Sequence, residues 1–474
     1  MAQKPKTKYI FSISVITTVI IAALLWFYLS DKSTPVPANA DISAYIPVNG
    51  NLFLVGINDK NGYSDLFTPL IKKNLIDKYP DGDILANILI NLYNYIPRTS
   101  EKGRSYLGGY TNGKEQPTCI AWFMLEEEIA LEKKILQRTL QIDFEPVKQT
   151  YRGYDIWLYP LNNGEFISCF KQMNVFAAST DIELLKRSID NFILQQPSLK
   201  FPGFYNALLT AQKSGSLTLL EPGVNYLSAI GLSPDSSRWL SSDVSIENGD
   251  LWISGYIGSP LNNTPSKTEE TEDISANKLS ERTFAGIQYK KCFVKEIVHH
   301  LFPDKNISVT DTSLNQLAGK CLQTIYLTSK DSIPVTEKIA IISTDSLPAY
   351  DKQENKIKVM FNDSTQSFIY TAIDGKRLLL GNNEKSLDNY LNDLKNNKLL
   401  SLKNPTFQKL FTQTTGVADR IVFGDGGAIK RLAAHEKIRP LLPLPIIPDH
   451  IFLNEISHEG TRAVYSNTII AGNN

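Results

Sequence analysis

The segment Ser188, Ile189, Asp190, Asn191, Phe192, Ile193 returns as Ser386, Leu387, Asp388, Asn389, Tyr390, Leu391, and weaker matches keep the same order. Phe166 and Ile167 correspond to Phe368 and Ile369, and Pro202, Gly203, Phe204 to Pro405, Thr406, Phe407. The strand-like Leu217–Leu220, ahead of Glu221, Pro222 and Gly223, matches Arg420–Phe423, ahead of Gly424, Asp425 and Gly426. The last two matches share an offset of 203 residues, and order kept together with spacing is the mark of an internal repeat. Between Phe166 and Ser188 the offset falls from 202 to 198. That fall reads as the loss of about one helical turn, which leaves an apolar helix face unrotated. The chain is therefore expected to fold as two related bodies.

The N-terminus sets the expected compartment. Ile10–Leu29 is a run of twenty uncharged residues, long enough as a helix to cross a hydrocarbon layer about 30 Å thick. Lys4, Lys6 and Lys8 precede it, and Trp26 and Tyr28 lie near its outer end, so the short end is expected in the cytoplasm. Ala38, Asn39, Ala40 has the small-residue look of a processing site, which leaves a cleaved signal peptide as the alternative. A retained anchor is favoured, because the apolar run exceeds a usual signal core and lies well before that site.

Lys and Arg total 49 and so do Asp and Glu. That balance lacks the basic footprint of a nucleic-acid binder. Cys119 and Cys169 fall in the first copy, Cys292 and Cys321 in the second, with no CxxC spacing to suggest a metal knuckle or redox pair. One bridge per copy and four small buried hydrophobes are both open.

Along the first copy, Asn51–Ile57 reads as a buried strand, Ser64–Lys78 and Asp83–Tyr95 as helical, and Ser105–Tyr110 with Thr118–Met124 as a strand pair. Glu126–Gln141 is an expected helix with three glutamates in its first turn. Tyr154–Tyr159, Glu165–Phe170 and Asn174–Ala178 form an expected meander. A closing hairpin alternates Val244, Ile246, Leu251 and Ile253 about an Asn248, Gly249 turn. In the second copy Thr283–Gln288, Leu322–Leu327, Lys338–Ser343 and Lys356–Phe361 match the first strand, the strand pair and the Tyr154 strand. Ile456 and Val464–Ile470, with Gly460 at the turn, match the hairpin.

Few residues announce chemistry. Gly424, Asp425, Gly426, Gly427 lacks the spacing of a phosphate loop and reads as a turn. His299 and His300 are adjacent rather than on one helix face, and His435, His450 and His458 stand apart. No GxSxG or SxxK pattern anchors a nucleophile. Pro440–Pro448 is proline- and leucine-rich, either an exposed docking strip or a loop packed over the core. No catalytic, cofactor-binding or metal residue is assigned.

Ile46, Pro47 and Gly50 before the first strand, with the hairpin from Asp243, Val244, Ser245, Ile246 to Gly255, Tyr256, resemble a Bacteroidota family of membrane-anchored extracytoplasmic proteins that carry a domain of unknown function. The triplets Asp331, Ser332, Ile333; Asp345, Ser346, Leu347; and Asp363, Ser364, Thr365 resemble the O-glycosylation signal of that group. The resemblance brings no catalytic residue.

The expectation is an α+β protein: an N-terminal transmembrane helix, then two related, mainly antiparallel sheet units with helical insertions. Residues 1–9 are placed in the cytoplasm, 10–29 across the inner membrane, 41–258 in the first repeat, 259–279 in a flexible linker and 280–474 in the second repeat, both repeats facing the periplasm. The expected partners are the inner membrane through residues 10–29 and an envelope protein or lipid, with no nucleic acid. The expected function is non-catalytic binding or scaffolding in the cell envelope. A lipid or lipoprotein carrier or chaperone, with a deep apolar cavity, is the alternative; an envelope hydrolase, with convergent carboxylates or histidines, is third.

Overall fold

The structure is a computed structural model. It describes residues 42–472 except 50, 78, 80, 96–103, 111–116, 125–136, 139–143, 162–163, 173, 195–200, 212–214, 230–236, 258–275, 303–304, 306–316, 318, 320, 329–335, 344–354, 363, 416–417, 436–448 and 460–462.

Ten strands form the first half: β1 (Leu52–Ile57), β2 (Arg104–Tyr110), β3 (Thr118–Met124), β4 (Val147–Tyr151), β5 (Tyr154–Pro160), β6 (Phe166–Gln172), β7 (Val175–Ser179), β8 (Leu217–Pro222), β9 (Trp239–Glu247) and β10 (Asp250–Ile257). Nine form the second: β11 (Thr283–Tyr289), β12 (Leu322–Thr328), β13 (Thr336–Ser343), β14 (Lys356–Met360), β15 (Gln366–Asp374), β16 (Arg377–Gly381), β17 (Arg420–Asp425), β18 (Ile451–Glu459) and β19 (Ala463–Ile470). Every pairing is antiparallel. The first half runs β4-β5-β6-β7-β3-β2-β1-β8-β9-β10. The second runs β14-β15-β16-β13-β12-β11-β17-β18-β19, the same order strand for strand. Among the described residues, only β4 has no counterpart.

The two halves meet in one sheet. β10 pairs with β19 from Leu251↔Ile470 to Ile257↔Val464, so the 19 strands are continuous. Side chains alternate across each strand, sending Phe53, Val55 and Ile57 to one face and Leu52 and Leu54 to the other. The core on the first face is itself unbroken across the seam, running from Phe53 through Leu251 and Ile253 to Ile287, Val422, Phe452 and Ile470. On the other face each half has its own core. Trp252 of β10 nevertheless packs into the core of the second half.

These facts correct the expected fold class. The described residues do not form two separate α+β units; they form mainly one antiparallel sheet padded by helices on both faces. The expected placement, an inner-membrane anchor with the remainder in the periplasm, is corrected with it. No helix among the described residues is long and apolar enough to cross a membrane, and Ile10–Leu29 lies outside them. Residues 258–275, most of the expected linker, also lie outside; Ala276–Lys278 is a short 3₁₀ helix with Ala276 buried.

Helices on the second face start at matching points. Ile182–Leu194 begins where Asp181 Oδ1 accepts from the backbone N–H of Glu183 and Leu184, and Glu384–Lys395 begins where Asn383 Oδ1 accepts from that of Lys385. Such caps satisfy amides with no partner inside the helix. Ser179 and Gly381 end matching strands as partners of Ile120 and Ile339, so strand end, cap and helix start all keep an offset of 202. The fall to 198 inferred from sequence is therefore corrected. Ser188 is the counterpart of Tyr390, not of Ser386. A shift of four residues is nearly one turn and preserves the apolar stripe, so local identity could not see it.

Several predicted elements differ in detail. Ser64–Lys78 is divided among the helix Lys60–Asp65, the short helix Pro69–Ile71 and the π-helical Lys72–Ile76. The strand β4, exposed along almost its whole length, escaped sequence reading because it has no apolar alternation. Glu126–Gln141 lies outside the described residues save Gln137 and Arg138, as do Pro440–Pro448, Gly460 and the Asp-Ser triplets apart from Ser364 and Thr365.

Candidate functional site

Asp181 sets the phase of the helix Ile182–Leu194, and that phase buries Leu184, Leu185, Ser188, Ile189 and Phe192 on the sheet. Arg187, Asp190 and Asn191 are left on the flank facing the extended segment Ile46–Asn49 that leads into β1. The helix is tied to the start of the chain's first half. Ser188 Oγ donates to the Tyr45 carbonyl at 2.5 Å and accepts from Trp122 Nε1 at 3.0 Å, and Asn191 Nδ2 donates to the Ile46 carbonyl at 2.6 Å. A cleft of about 280 Å³ remains between helix and segment, lined by Pro47, Val48, Asn49, Tyr110, Leu184, Arg187, Asp190 and Asn191.

Its polar groups are unequally satisfied. Asp190 is engaged: Tyr151 Oη donates to both its oxygens at 3.1 Å, and Arg152 Nε lies 3.1 Å from Oδ1. Tyr110 contributes to the lining at 3% exposure, and its hydroxyl has no hydrogen-bond partner among the described residues. Burial raises the pKa of that phenol, while the nearby Arg187 guanidinium works in the opposite direction. A buried hydroxyl without a partner costs on the order of 1–3 kcal/mol, so such a group is a standing demand for an acceptor or donor. Arg187 is exposed and forms no ion pair among the described residues.

The corresponding place in the second half is closed by the chain itself. Arg282, which directly precedes β11 and is the counterpart of Asn51, turns inward. Its Nε lies 2.7 Å from Asp393 Oδ2 and its Nη1 lies 3.2 Å from Glu337 Oε2. Ser280 Oγ donates to the same Asp393 oxygen at 2.6 Å. Asp393 is the counterpart of Asn191, and Glu337, opposite Leu327, holds the place of Thr118, opposite Tyr110. Tyr390 Oη donates to the Lys278 carbonyl at 3.0 Å, as Ser188 does to Tyr45. One half thus fills the position with a guanidinium between carboxylates, and the other leaves it open among Asn49, Asn191, Arg187 and the Arg152-paired Asp190.

The chain matches no family model, no curated protein and no solved structure. Function must be read from the site.

Among the described residues, the histidines and cysteines do not converge on one site. His299 and His300 sit on the helix Val294–Leu301 with ring centroids 6.1 Å apart. His458 Nδ1 lies 2.8 Å from Asp419 Oδ2. Among the described residues, no three His, Cys, Asp or Glu side chains are grouped so as to hold a metal. Cys119 and Cys169 are buried free thiols, and Cys292 is also buried. At Gly424–Gly427 the strand β17 runs through Asp425, whose Oδ1 accepts from the Ala428 N–H and caps the helix Gly426–His435. The side chain of Asp425 therefore occupies one of the amides that a phosphate would use.

Sequence reading missed Tyr110, Arg187 and the use made of Asp190 and Asn191. Asp190 and Asn191 were conspicuous, but only as part of the repeat. The signal that exposes the cleft is the difference between halves, Asn191 against Asp393 and Thr118 against Glu337, and the first of these emerges only in the corrected helix register.

Proposed function

We propose that this protein is a non-catalytic binding protein whose two halves descend from one duplicated sheet unit. In this reading the first half retains a ligand cleft that the second half has closed. The observation that carries the proposal is the contrast at one topological position: an open cleft with an unpartnered buried hydroxyl at Tyr110, against the Arg282, Asp393 and Glu337 cluster. Common ancestry is supported by the shared strand order and by helix caps 202 residues apart at Asp181 and Asn383.

The lining argues between the alternatives. A lipid carrier needs a deep apolar cavity, whereas this cleft presents Arg187, Asp190, Asn191, Asn49 and Tyr110. A hydrolase needs convergent acids, bases or nucleophiles, and here the single carboxylate is already held by Arg152 and Tyr151. Small polar molecules screened by thermal unfolding should include some that stabilise the protein, since a ligand that binds only the folded state raises its midpoint. Asn49→Trp, which fills the cleft from its rim, should erase those shifts. A screen with no hits, or hits unaffected by Asn49→Trp, would remove the proposal.

A further inference from the structure

We propose that the cleft accepts an anionic group, a carboxylate or phosphate, anchored by Arg187 and Tyr110; this rests on the binding reading above and names its ligand class. Charge is the first ground. Arg152 already offsets Asp190 at 3.1 Å, and the exposed Arg187 leaves the lining with an uncompensated positive charge. Hydrogen-bonding capacity is the second. Tyr110 lines the cleft, and its hydroxyl is buried without a partner among the described residues. As a neutral phenol it donates well to an oxyanion, and a guanidinium presents several donors to the same group.

The second half supplies the third ground by inversion. A cation fills the equivalent place there because two carboxylates, Asp393 and Glu337, hold it. In the first half those carboxylates are replaced by Asn191 and Thr118, so the feature that would favour a cation is gone and Arg187 stands at the mouth instead. About 280 Å³ admits the acidic end of a ligand, with any larger body left outside.

The test is thermal unfolding of the full chain in sodium phosphate, sodium acetate and sodium chloride at matched ionic strength. Phosphate or acetate should raise the midpoint above chloride in a saturable way, and the stronger of the two identifies the anion. Arg187→Gln and Tyr110→Phe, one exposed and one conservative so that both should fold, should each weaken that binding, Arg187→Gln by roughly 10-fold or more. Methylguanidinium, which mimics the head of Arg282, is the opposing probe. If it stabilises the protein and Asn49→Trp abolishes the effect, the cleft binds ligands but the anionic assignment is wrong. If neither anion exceeds chloride and the neutral and cationic probes also fail, both readings fall. Stabilisation by anions that Arg187→Gln leaves unchanged would likewise overturn the inference.

Discussion

Ser254 of β10 and Asn467 of β19 stand directly opposite each other, and Ser254 Oγ donates to Asn467 Oδ1 at 2.7 Å. They are also each other's counterparts. Val244 faces the first residue of β8 and Ile456 the first residue of β17; Ile253 faces Val244 and Ser466 faces Ile456. One step further on each strand are Ser254 and Asn467. The seam therefore has a local two-fold axis at this pair: Leu251 faces Ile470 and its equivalent Val464 faces Ile257, the equivalent of Ile470, as in an isologous dimer interface made within one chain.

A continuous sheet and an unbroken core on one face predict that the halves unfold together. Chemical denaturation followed by tryptophan fluorescence and by far-UV circular dichroism should give one coincident transition. Gly255, beside Ser254, has no room for a side chain, because a Cβ there would collide with the Ser241 carbonyl oxygen and Ser242 Oγ. Gly255→Val should cost about 1–3 kcal/mol and lower the midpoint of the whole transition. Two separable transitions, with only one moved by the substitution, would contradict the single-sheet account.

The corrected helix register makes its own prediction. Ser188 satisfies two buried groups, the Tyr45 carbonyl and Trp122 Nε1, so Ser188→Ala should cost about 1–3 kcal/mol. Tyr390→Phe removes one bond, to the Lys278 carbonyl, and should cost roughly 0.5–1.5 kcal/mol. Ser386, the residue that sequence identity aligns with Ser188, is buried but holds no such bridge, and Ser386→Ala should stay within about 0.5 kcal/mol. Urea midpoints of the three variants decide the matter. A Ser386→Ala cost equal to that of Ser188→Ala would restore the register read from sequence.

Elements with their own local signal were legible in the chain, while relationships set by tertiary geometry were not. Asn248 and Gly249 announced their hairpin because a two-residue turn needs positive φ, and they adopt 52° and 83°. Tyr154–Tyr159 and Thr118–Met124 were visible from apolar patterning. β4 was not, since an exposed edge strand carries no hydrophobic period to find. The β10–β19 seam could not be foreseen, because pairing between strands more than 200 residues apart leaves no local trace and the polar residues between them suggested separation. The cleft depends on which helix turn faces Ile46–Asn49, and the apolar stripe is compatible with either of two turns. The cap residues Asp181 and Asn383 held that information, at the matching ends of two helices.

Arg282 should behave as a structural plug. Its side chain is 6% exposed and those of Asp393 and Glu337 are 9% and 19% exposed. Arg282→Ala would leave two carboxylates close together with their cation gone, which should cost about 3–5 kcal/mol. Replacing the group by apolar residues, as in Arg282→Met with Asp393→Leu and Glu337→Leu, should recover much of that loss, because desolvation offsets much of the attraction within a buried ion pair. Denaturant midpoints of the single and triple variants test this. A triple variant no more stable than Arg282→Ala would show that the cluster contributes more than charge balance.

His300 predicts acid sensitivity. Burial is the main cause that lowers its pKa from 6.5 to about 4, with His299, Arg420 and Lys338 adding repulsion. On the helix Val294–Leu301 its Nδ1 lies 3.4 Å from Tyr326 Oη, while its ring packs 5.8 Å from that of Tyr289. At neutral pH the imidazole is uncharged in both folded and unfolded chains, so it has no effect on the balance. Below the ordinary value the unfolded chain takes up a proton that the folded chain refuses until about pH 4, and stability falls across that interval. The share due to His300 is roughly 2–3 kcal/mol by linkage. His300→Gln should flatten the decline in urea midpoint between pH 7 and pH 4, leaving the slope set by the carboxylates. Equal slopes in the parent and the variant would mean that this imidazole is protonated as readily in the folded protein as in the unfolded chain.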